Sequence, residues 1–287
     1  MCSPMWRWKK MSNRLASLRL VAQHEFKRHL SGQRMLLLAP LIIFFLAAAC
    51  WGFSDPRFTA PAGITIDSPA SALFLASTVI VLVCTLAVVL LGFDTISRRR
   101  MTGELAIDLS QPMPRTDFAL SQLFGVWMAA MLPTLIGIIA GSWLIHRQMG
   151  AWPSLVNSGV FVIATGLLLW WYTCLQLLAS SYARDMGSSV TLGVGTWLLF
   201  TLLWLLVTVV VATFMGVDAT DTNSTAFDLM AERMDLFSPN GVFQLLLETM
   251  LPESQPQLDP FWIWLSAITW AILPPYFFIR RMNRIKP

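Results

Sequence analysis

The stretch ALFLASTVIVLVCTLAVVLLGFDTISRRR, residues 72–100, joins a long uncharged run to a basic cluster. Its first 22 residues include no Asp, Glu, Lys or Arg, and three consecutive arginines stand at 98–100. About 20 apolar residues cross the hydrocarbon core of a bilayer as a helix, and a helix satisfies its own backbone hydrogen bonds there. The stretch therefore predicts a transmembrane helix that ends at a basic membrane face.

Five more runs of this kind occur along the 287 residues. Hydrophobic residues make up 56% of the chain and charged residues 13%, whereas an ordinary soluble domain has roughly 25% charged residues. This composition excludes an ordinary water-soluble globule. We predict an all-α polytopic membrane protein with six transmembrane helices. The predicted spans are residues 35–53, 72–93, 118–145, 155–180, 188–215 and 261–279.

The basic residues are distributed unevenly between the two sides of the predicted bundle. Seventeen of the 20 Lys and Arg residues fall in the N-terminal segment, the second and fourth loops and the C-terminal tail. Because Lys and Arg in short loops stay in the cytoplasm, both termini are predicted to lie inside. We call this side the basic face. Its charge indicates contact with the anionic headgroups of the lipid bilayer and not with nucleic acid.

The chain divides into a cytoplasmic basic segment, residues 1–34, and a six-span domain, residues 35–287. Within the basic segment, residues 12–31 have apolar side chains at spacings of three or four and basic side chains between them. This pattern predicts an amphipathic interfacial helix, with its apolar stripe in lipid or against the bundle. The alternative is a basic stop sequence that only sets the topology.

The loop at 216–260 is the long outer loop, with 45 residues, and it carries helical patterns of its own. Apolar residues recur at helical spacing over 226–237. Ser238 and Pro239 then resemble an N-cap and a first helical position, which predicts a second helix over 240–250. We expect two short helices that lie on the outer membrane surface or cap the bundle.

Several motifs and residue types are absent from the sequence, and their absence reduces the number of possible functions. No predicted span has a charged residue, although ion-coupled carriers usually need one at membrane depth. The chain has no GxxxxGK[ST] phosphate loop and no HExxH metal motif, and its four cysteines show no CxxC spacing. We therefore predict no catalytic, cofactor-binding or metal site. If ATP drives the protein, ATP and Mg²⁺ bind a separate subunit.

The most informative stretch outside the spans is GFDTISRRRMTGELAIDLSQPMPRTDFALSQLFG, residues 92–125. Residues 94–109 are predicted to continue the second span as a helix, which the prolines that follow would end. A mixed-charge helix held at the membrane by two spans suits contact with a soluble partner. The alternative is a solvated loop that only sets the topology. The residues expected at the contact are Asp94, Arg98, Arg99, Arg100, Glu104, Asp108 and, in the fourth loop, Arg184.

This stretch resembles the ABC-2 type permease family, in which a loop of the pattern acid-x-I…(E)R…GT-L…L-(S)-x-P-(x)-(S)R…GK joins the second and third spans. The sequence departs from that pattern at Ser97 and residues 98–100, where a Glu-containing pair is usual. It also departs at Glu104 in place of Thr, Pro114 near the usual Ser, and Gln122 in place of Lys. The matching positions are Asp94, Ile96, Gly103, Leu105, Leu109, Ser110, Pro112 and Arg115.

The N-terminal helix is similar to the amphipathic entry helix of the same family, with Glu25, Phe26 and Arg34 at matching positions. The segment DLFSPNGVFQ, residues 235–244, resembles the branch that includes the nitrous-oxide-reductase and multicopper-enzyme maturation permeases. These resemblances extend over nearly the whole chain.

The resemblance implies the permease subunit of an ABC transporter that pairs as a homodimer with a separate ABC ATPase. It implies that residues 94–117 form the cytoplasmic coupling loop, which touches the ATPase, and it favours export. The expected location is the plasma (inner) membrane of a bacterium or archaeon. The sequence identifies no substrate-binding residues.

Two other functions remain open at this point. One is an ATPase-independent membrane scaffold that presents residues 216–260 to an extracytoplasmic partner. The other is a secondary carrier or channel, which the absence of charge within the spans disfavours.

Overall fold

The computed structural model describes residues 4–58, 66–111, 113–217, 225–251 and 255–285, and it describes only the backbone of residues 4–14. All regular elements in these ranges are helical. Pro112 of the coupling loop lies outside the described residues. The α-helices are α1 (Pro4–Leu30), α2 (Gln33–Phe53), α3 (Pro69–Val79), α4 (Thr85–Gly92), α5 (Ser97–Met101), α6 (Glu104–Ser110), α7 (Arg115–Met149), α8 (Leu155–Tyr182), α9 (Met186–Leu198), α10 (Trp204–Phe214), α11 (Thr225–Asp235), α12 (Pro239–Glu248) and α13 (Pro260–Arg284).

Six helical stretches are long and apolar enough to cross a membrane, so the predicted fold class is confirmed. Most of them extend a few residues past the uncharged runs of the sequence, because a helix can continue into the headgroup layer where charged side chains stay solvated. The six stretches are Gln33–Phe53, Pro69–Met101, Arg115–Met149, Leu155–Tyr182, Met186–Phe214 and Pro260–Arg284.

The fourth span, α8, lies at the centre of the bundle. Of its apolar window, 67% is buried, against 17% for the first span and 11% for the fifth. Phe161, Trp171 and Tyr172 of α8 are among the largest fully buried side chains of the described residues. The first and fifth spans therefore lie at the periphery of the bundle, and most of their apolar side chains are exposed on the surface of the single chain.

Two π-helical turns, Ile80–Cys84 and Leu199–Leu203, interrupt the second and fifth spans. The sequence pattern did not predict them. Trp197 Nε1 donates a hydrogen bond to Thr85 Oγ1 over 2.8 Å, which joins the two spans beside both turns. Thr85 Oγ1 in turn donates to the carbonyl oxygen of Val81. A π turn leaves backbone carbonyls without their usual helical partner and is frequent at functional sites.

The N-terminal helix α1 packs against α7, the third span. Of the two placements open to the predicted amphipathic helix, the structure shows the one against the bundle. Gly125 of α7 permits the contact, since a Cβ at that position would lie 2.5 Å from Glu25 Cβ and 3.2 Å from the backbone nitrogen of Phe26. The buried face of α1 includes the carboxylate of Glu25, which the predicted apolar stripe did not include.

The outer loop contains both predicted helices, as α11 and α12. Ser238 Oγ accepts a hydrogen bond from the Gly241 N–H, and Pro239 is the first residue of α12, as predicted. α12 is inserted into the bundle, where it packs against α8 and α13. Its side chains Val242 and Phe243 are completely buried.

The side chain of Asn240, at the start of α12, reaches the π turn of the fifth span. Its Nδ2 donates to the Phe200 carbonyl oxygen at 3.0 Å and to Thr201 Oγ1 at 3.1 Å. Its Oδ1 accepts a hydrogen bond from the Tyr172 hydroxyl at 3.0 Å. In addition to the packing of α12, this amide thus joins the outer loop to both the fourth and the fifth span.

Candidate coupling surface

The turn that follows α4 is held by serine hydroxyls of two other spans. Ser180 Oγ of α8 accepts hydrogen bonds from the N–H groups of Ile96 and Ser97, at 3.2 and 3.1 Å. The same hydroxyl donates to the Phe93 carbonyl at 2.7 Å, and Ser189 Oγ of α9 donates to that carbonyl as well. The start of the coupling loop is therefore fixed to the fourth and fifth spans.

The coupling loop contains two short helices: α5, which belongs to the second helical stretch (Pro69–Met101), and α6. Gly103, between them, has a left-handed φ of +78°. A residue in this conformation ends a helix, and glycine adopts it at the lowest cost. The predicted single helix over 94–109 is therefore wrong, because Gly103 redirects the chain.

Arg99 is buried at the junction of α1, α5 and α6. Its Nη2 lies 2.6 Å from Glu25 Oε1, and its Nη1 lies 3.2 Å from Asp108 Oδ2. Its guanidinium also lies over the ring of Phe118, with 5.7 Å between the guanidinium carbon and the ring centroid. One side chain of the coupling loop thus joins the N-terminal helix, α6 and the third span.

A second ion pair joins the first span to the coupling loop. The guanidinium of Arg34 donates to both carboxylate oxygens of Asp94, at 2.8 and 2.9 Å. It also lies 4.5 Å from the ring centroid of Phe93. Such a two-point geometry holds the two groups in one orientation, which a single contact does not.

Two further arginines of the coupling loop bind backbone carbonyls at helix ends. Arg100 donates to the carbonyl oxygens of Ser181 and Ala183, at 2.8 and 3.1 Å. Arg115 donates to the carbonyl oxygen of Ile285 at 2.7 Å. The last carbonyls of a helix have no partner within the helix, so these arginines cap α8 and α13.

A cleft of about 450 Å³ opens between α1 and α6, and we call it the coupling cleft. One wall belongs to the N-terminal helix and the other to the coupling loop, and the Arg99–Glu25 pair lies between them. The lining residues are Leu20, Val21, His24, Glu25, Arg28, Arg99, Glu104, Ile107, Asp108, Gln111, Met113 and Phe118.

A sequence model described as ABC-2 family transporter protein matches residues 19–284, almost the entire chain. The chain belongs to this family. The protein is therefore the membrane subunit of a transporter, and permeases of this family normally work with an ABC ATPase partner. Among curated proteins, none matches the chain.

In this permease, the carboxylate of Glu25 stays ionised although it is buried. Burial is the largest effect and acts to raise the pKa of Glu25, but the charge and hydrogen bond of Arg99, together with the weaker effects of Arg28 and Gln122, hold the pKa below its ordinary value. Arg28, 3.5 Å away, acts in the same direction. The pair is therefore a true salt bridge at neutral pH.

The structure divides the seven predicted contact residues of the permease into three groups. Asp94, Arg99 and Arg100 make the internal bonds described above and are at least partly buried. Asp108 is intermediate, since it lines the coupling cleft and binds Arg99. The exposed ones are Arg98, Glu104 and Arg184.

Ser180 and Ser189 were not among the residues predicted for this region. Serines within apolar runs are common in membrane helices, so no local pattern distinguishes these two. Glu25, Phe26 and Arg34 were identified by family resemblance, and the structure places Glu25 and Arg34 in ion pairs with the coupling loop. Phe26 packs against the apolar core.

No group of three or more His, Cys, Asp or Glu side chains is placed to hold a metal ion in the described part of the permease. Three cysteines, Cys50, Cys84 and Cys174, are buried as free thiols.

Proposed function

We propose that the chain is the permease subunit of an ATP-driven ABC exporter, and that a separate ATPase subunit docks in the coupling cleft. The observation that supports this is the pairing of two walls from distant parts of the chain. α1 and α6 flank the cleft, and the Arg99 bonds to Glu25 and Asp108 join them. A force applied to either wall is therefore shared by both.

The charged residues act in two ways in this proposal. Arg98, Glu104 and Arg184 are exposed and contact the ATPase directly. Asp94, Arg99 and Arg100 are positioning residues, which transmit movement of the loop to the first, third and fourth spans. This assignment follows from burial, because a side chain that is already bonded within the permease has few donors or acceptors left for a partner.

The functional unit in this proposal is a homodimer with two ATPase subunits in a bacterial or archaeal plasma membrane. The first and fifth spans bury the smallest share of their apolar surface, so they offer the area that a second copy would cover. Family resemblance favours export. It also supports, through residues 235–244, a place in the maturation branch, although this resemblance does not make copper the cargo.

The experiment is affinity purification of the full-length tagged permease from detergent-solubilised membranes, with the soluble ATPase measured beside it. The variant Arg98→Glu/Glu104→Arg reverses two exposed charges of the coupling loop, and Glu104 lines the coupling cleft. The matched control, Arg57→Glu/Asp228→Lys, reverses two exposed charges at the opposite side of the bundle. We expect the ATPase to co-purify at equal stoichiometry with the wild type and the control, and to be lost from the first variant.

An ATPase-independent scaffold gives the opposite pattern. The permease would then purify without an ATPase, and changes in the outer loop would abolish function while the Arg98/Glu104 reversal would not. The structured helices α11 and α12 are the feature that supports the scaffold. The burial of α12 in the bundle reduces the surface that the outer loop can offer to an extracytoplasmic partner.

A further inference from the structure

A polar pocket of about 270 Å³ lies on the basic face, beside the first residues of α2 and the last residues of α4. We call it the arginine pocket. It is formed by the α1–α2 junction on one side and by the end of the second span on the other. The lining residues are Arg28, His29, Gly32, Gln33, Arg34, Leu91, Asp94 and Arg98.

The arginine pocket has more positive than negative charge. Three guanidiniums line it, and the lining carboxylate, that of Asp94, receives both of its close hydrogen bonds from Arg34. Arg98 lies 3.9 Å from Asp94, and Arg28 lies 3.5 Å from Glu25 behind the pocket wall. Since a guanidinium has five N–H donors, one long ion pair leaves Arg28 and Arg98 able to bind a further anion.

The remaining polar groups of the pocket also suit an anion. Gly32 is the N-cap of α2 and has no side chain to bind the first N–H groups of that helix. The N-terminal end of a helix carries partial positive charge. Among the described residues, buried His29 Nε2 has no hydrogen-bond partner. Burial, with the charge of Arg28 beside it, lowers the pKa of His29 to about 4, so at neutral pH the ring is an uncharged donor or acceptor.

We propose that the arginine pocket binds the phosphate group of an anionic ligand, with Arg28 and Arg98 as its cationic contacts. A guanidinium binds phosphate through two parallel hydrogen bonds, which an ammonium group cannot do. A volume of about 270 Å³ lies just below the ~300–1,000 Å³ that drug-sized ligands occupy, which suits a headgroup.

The position of the pocket favours a membrane lipid as the source of the phosphate. Basic pockets between transmembrane helices on the cytoplasmic side suit anionic headgroups, because the inner leaflet is negatively charged. A free phosphate shares the same chemistry. The bound group would bridge α1 and α5, so it would add a ligand-dependent link beside the Arg99–Glu25 salt bridge. The test of this assignment needs no ATPase, but the assignment shares Arg98 with the proposed ATPase contact.

The test uses the full-length permease, purified and delipidated in a mild nonionic detergent. Dioctanoyl phosphatidylglycerol is titrated while the midpoint of thermal unfolding is followed, and native mass spectrometry counts the bound lipid. Dioctanoylglycerol, which has the same tails and no phosphate, is the probe control. We expect phosphatidylglycerol to raise the unfolding midpoint with saturation at one lipid per chain, and dioctanoylglycerol to leave it unchanged.

The test variant is Arg28→Gln/Arg98→Gln, and its matched control is Arg19→Gln/Arg184→Gln, which removes the same charge from exposed arginines outside the pocket. The pocket variant should bind phosphatidylglycerol about tenfold more weakly than the wild type. The affinity of the control variant should change by less than about twofold. Arg28→Lys/Arg98→Lys keeps the charge but loses the paired hydrogen bonds of the guanidinium groups. Its affinity for the lipid should lie between those of the pocket variant and the control variant. Folding of each variant is checked by its unfolding midpoint without lipid.

Inorganic phosphate distinguishes the two sources. If it displaces phosphatidylglycerol at millimolar concentration, free phosphate is a ligand of the pocket; if it does not, the ligand is a lipid headgroup. Three results would overturn the assignment: equal stabilisation by dioctanoylglycerol, wild-type binding by the folded pocket variant, or an equal loss in the control variant, which would indicate general surface charge.

Discussion

The Arg99 guanidinium lies 2.6 Å from the Glu25 carboxylate, although the two residues are 74 positions apart. Each side chain is 6% exposed. Bringing two charges out of water is costly unless they are paired, so this contact strongly favours one relative position of the N-terminal helix and the coupling loop. This link can be tested directly, as can three other features of the fold.

Arg99→Gln should leave the buried Glu25 carboxylate without its main cation. Removing one partner of a buried pair typically costs ~3–5 kcal/mol, so we expect a clear fall in the midpoint of thermal unfolding. Arg98→Gln is the matched control, since its side chain is 65% exposed and its ion pair is long. The double variant Glu25→Gln/Arg99→Gln should recover part of the loss; equal effects at Arg98 and Arg99 would contradict the burial of the pair.

Gly125→Ala should displace α1 from the third span. The new Cβ would lie 2.5 Å from Glu25 Cβ, and overpacking of this kind costs ~1–3 kcal/mol. Limited proteolysis of residues 15–30, followed by mass spectrometry, should show faster cleavage. Gly159→Ala in α8 is the control, because no atom lies within 4 Å of its added Cβ. Unchanged protection in Gly125→Ala would mean that α1 does not depend on this contact.

Asn240→Ala should loosen the π turn of the fifth span. The substitution removes the hydrogen bonds to the Phe200 carbonyl and from the Tyr172 hydroxyl, which keeps only Thr201 Oγ1 at 3.3 Å, at a cost of ~1–3 kcal/mol. Hydrogen exchange of residues 199–203 should accelerate. Asn283→Ala, at an exposed position, should leave it unchanged. If both variants exchange alike, the amide does not hold the turn.

Glu248→Gln should remove a pH dependence of the outer helices. Burial, with the nearby negative charges of Glu232 and Asp235, raises the pKa of Glu248 from 4.5 to about 7. Between those values the folded protein retains a proton that the unfolded chain releases, so stability falls as pH rises through this window.

At pH 8 we expect Glu248→Gln to have a higher unfolding midpoint than the wild type, with a free energy of unfolding greater by ~1–3 kcal/mol. At pH 4.5 we expect little difference between the two. Asp228→Asn is the control, since Asp228 is exposed on the neighbouring helix α11. The same gain at both pH values would show that the carboxyl does not titrate as stated. Asp235, whose pKa burial raises to about 6, should add a smaller change in the same direction.

The elements that depend on local composition were predictable. Each transmembrane helix follows from an uncharged run of sufficient length, and Ser238 with Pro239 marks the start of α12. The continuous helix predicted over 94–109 is interrupted at Gly103. The sequence does not reveal this break, because the residues on both sides are good helix formers and a sequence pattern does not show which backbone conformation a single glycine adopts.

The roles of the arginines could not be predicted in the same way. Residues 98–100 are three identical side chains, yet one is exposed, one is buried in a salt bridge and one caps a helix. Successive helical residues point about 100° apart, so the three face different neighbours, and those neighbours come from α1, α6 and α8. No property of the local sequence distinguishes them.

Fold class, number of spans and membership of the basic face thus follow from residue composition, because the bilayer acts on each segment according to its length and charge alone. The coupling cleft, the arginine pocket and the insertion of α12 depend on packing between segments far apart in the chain. Arg99 bonds to Glu25, and Asn240 bonds to the Phe200 carbonyl, because the folded bundle brings these groups within hydrogen-bond distance and excludes water from them.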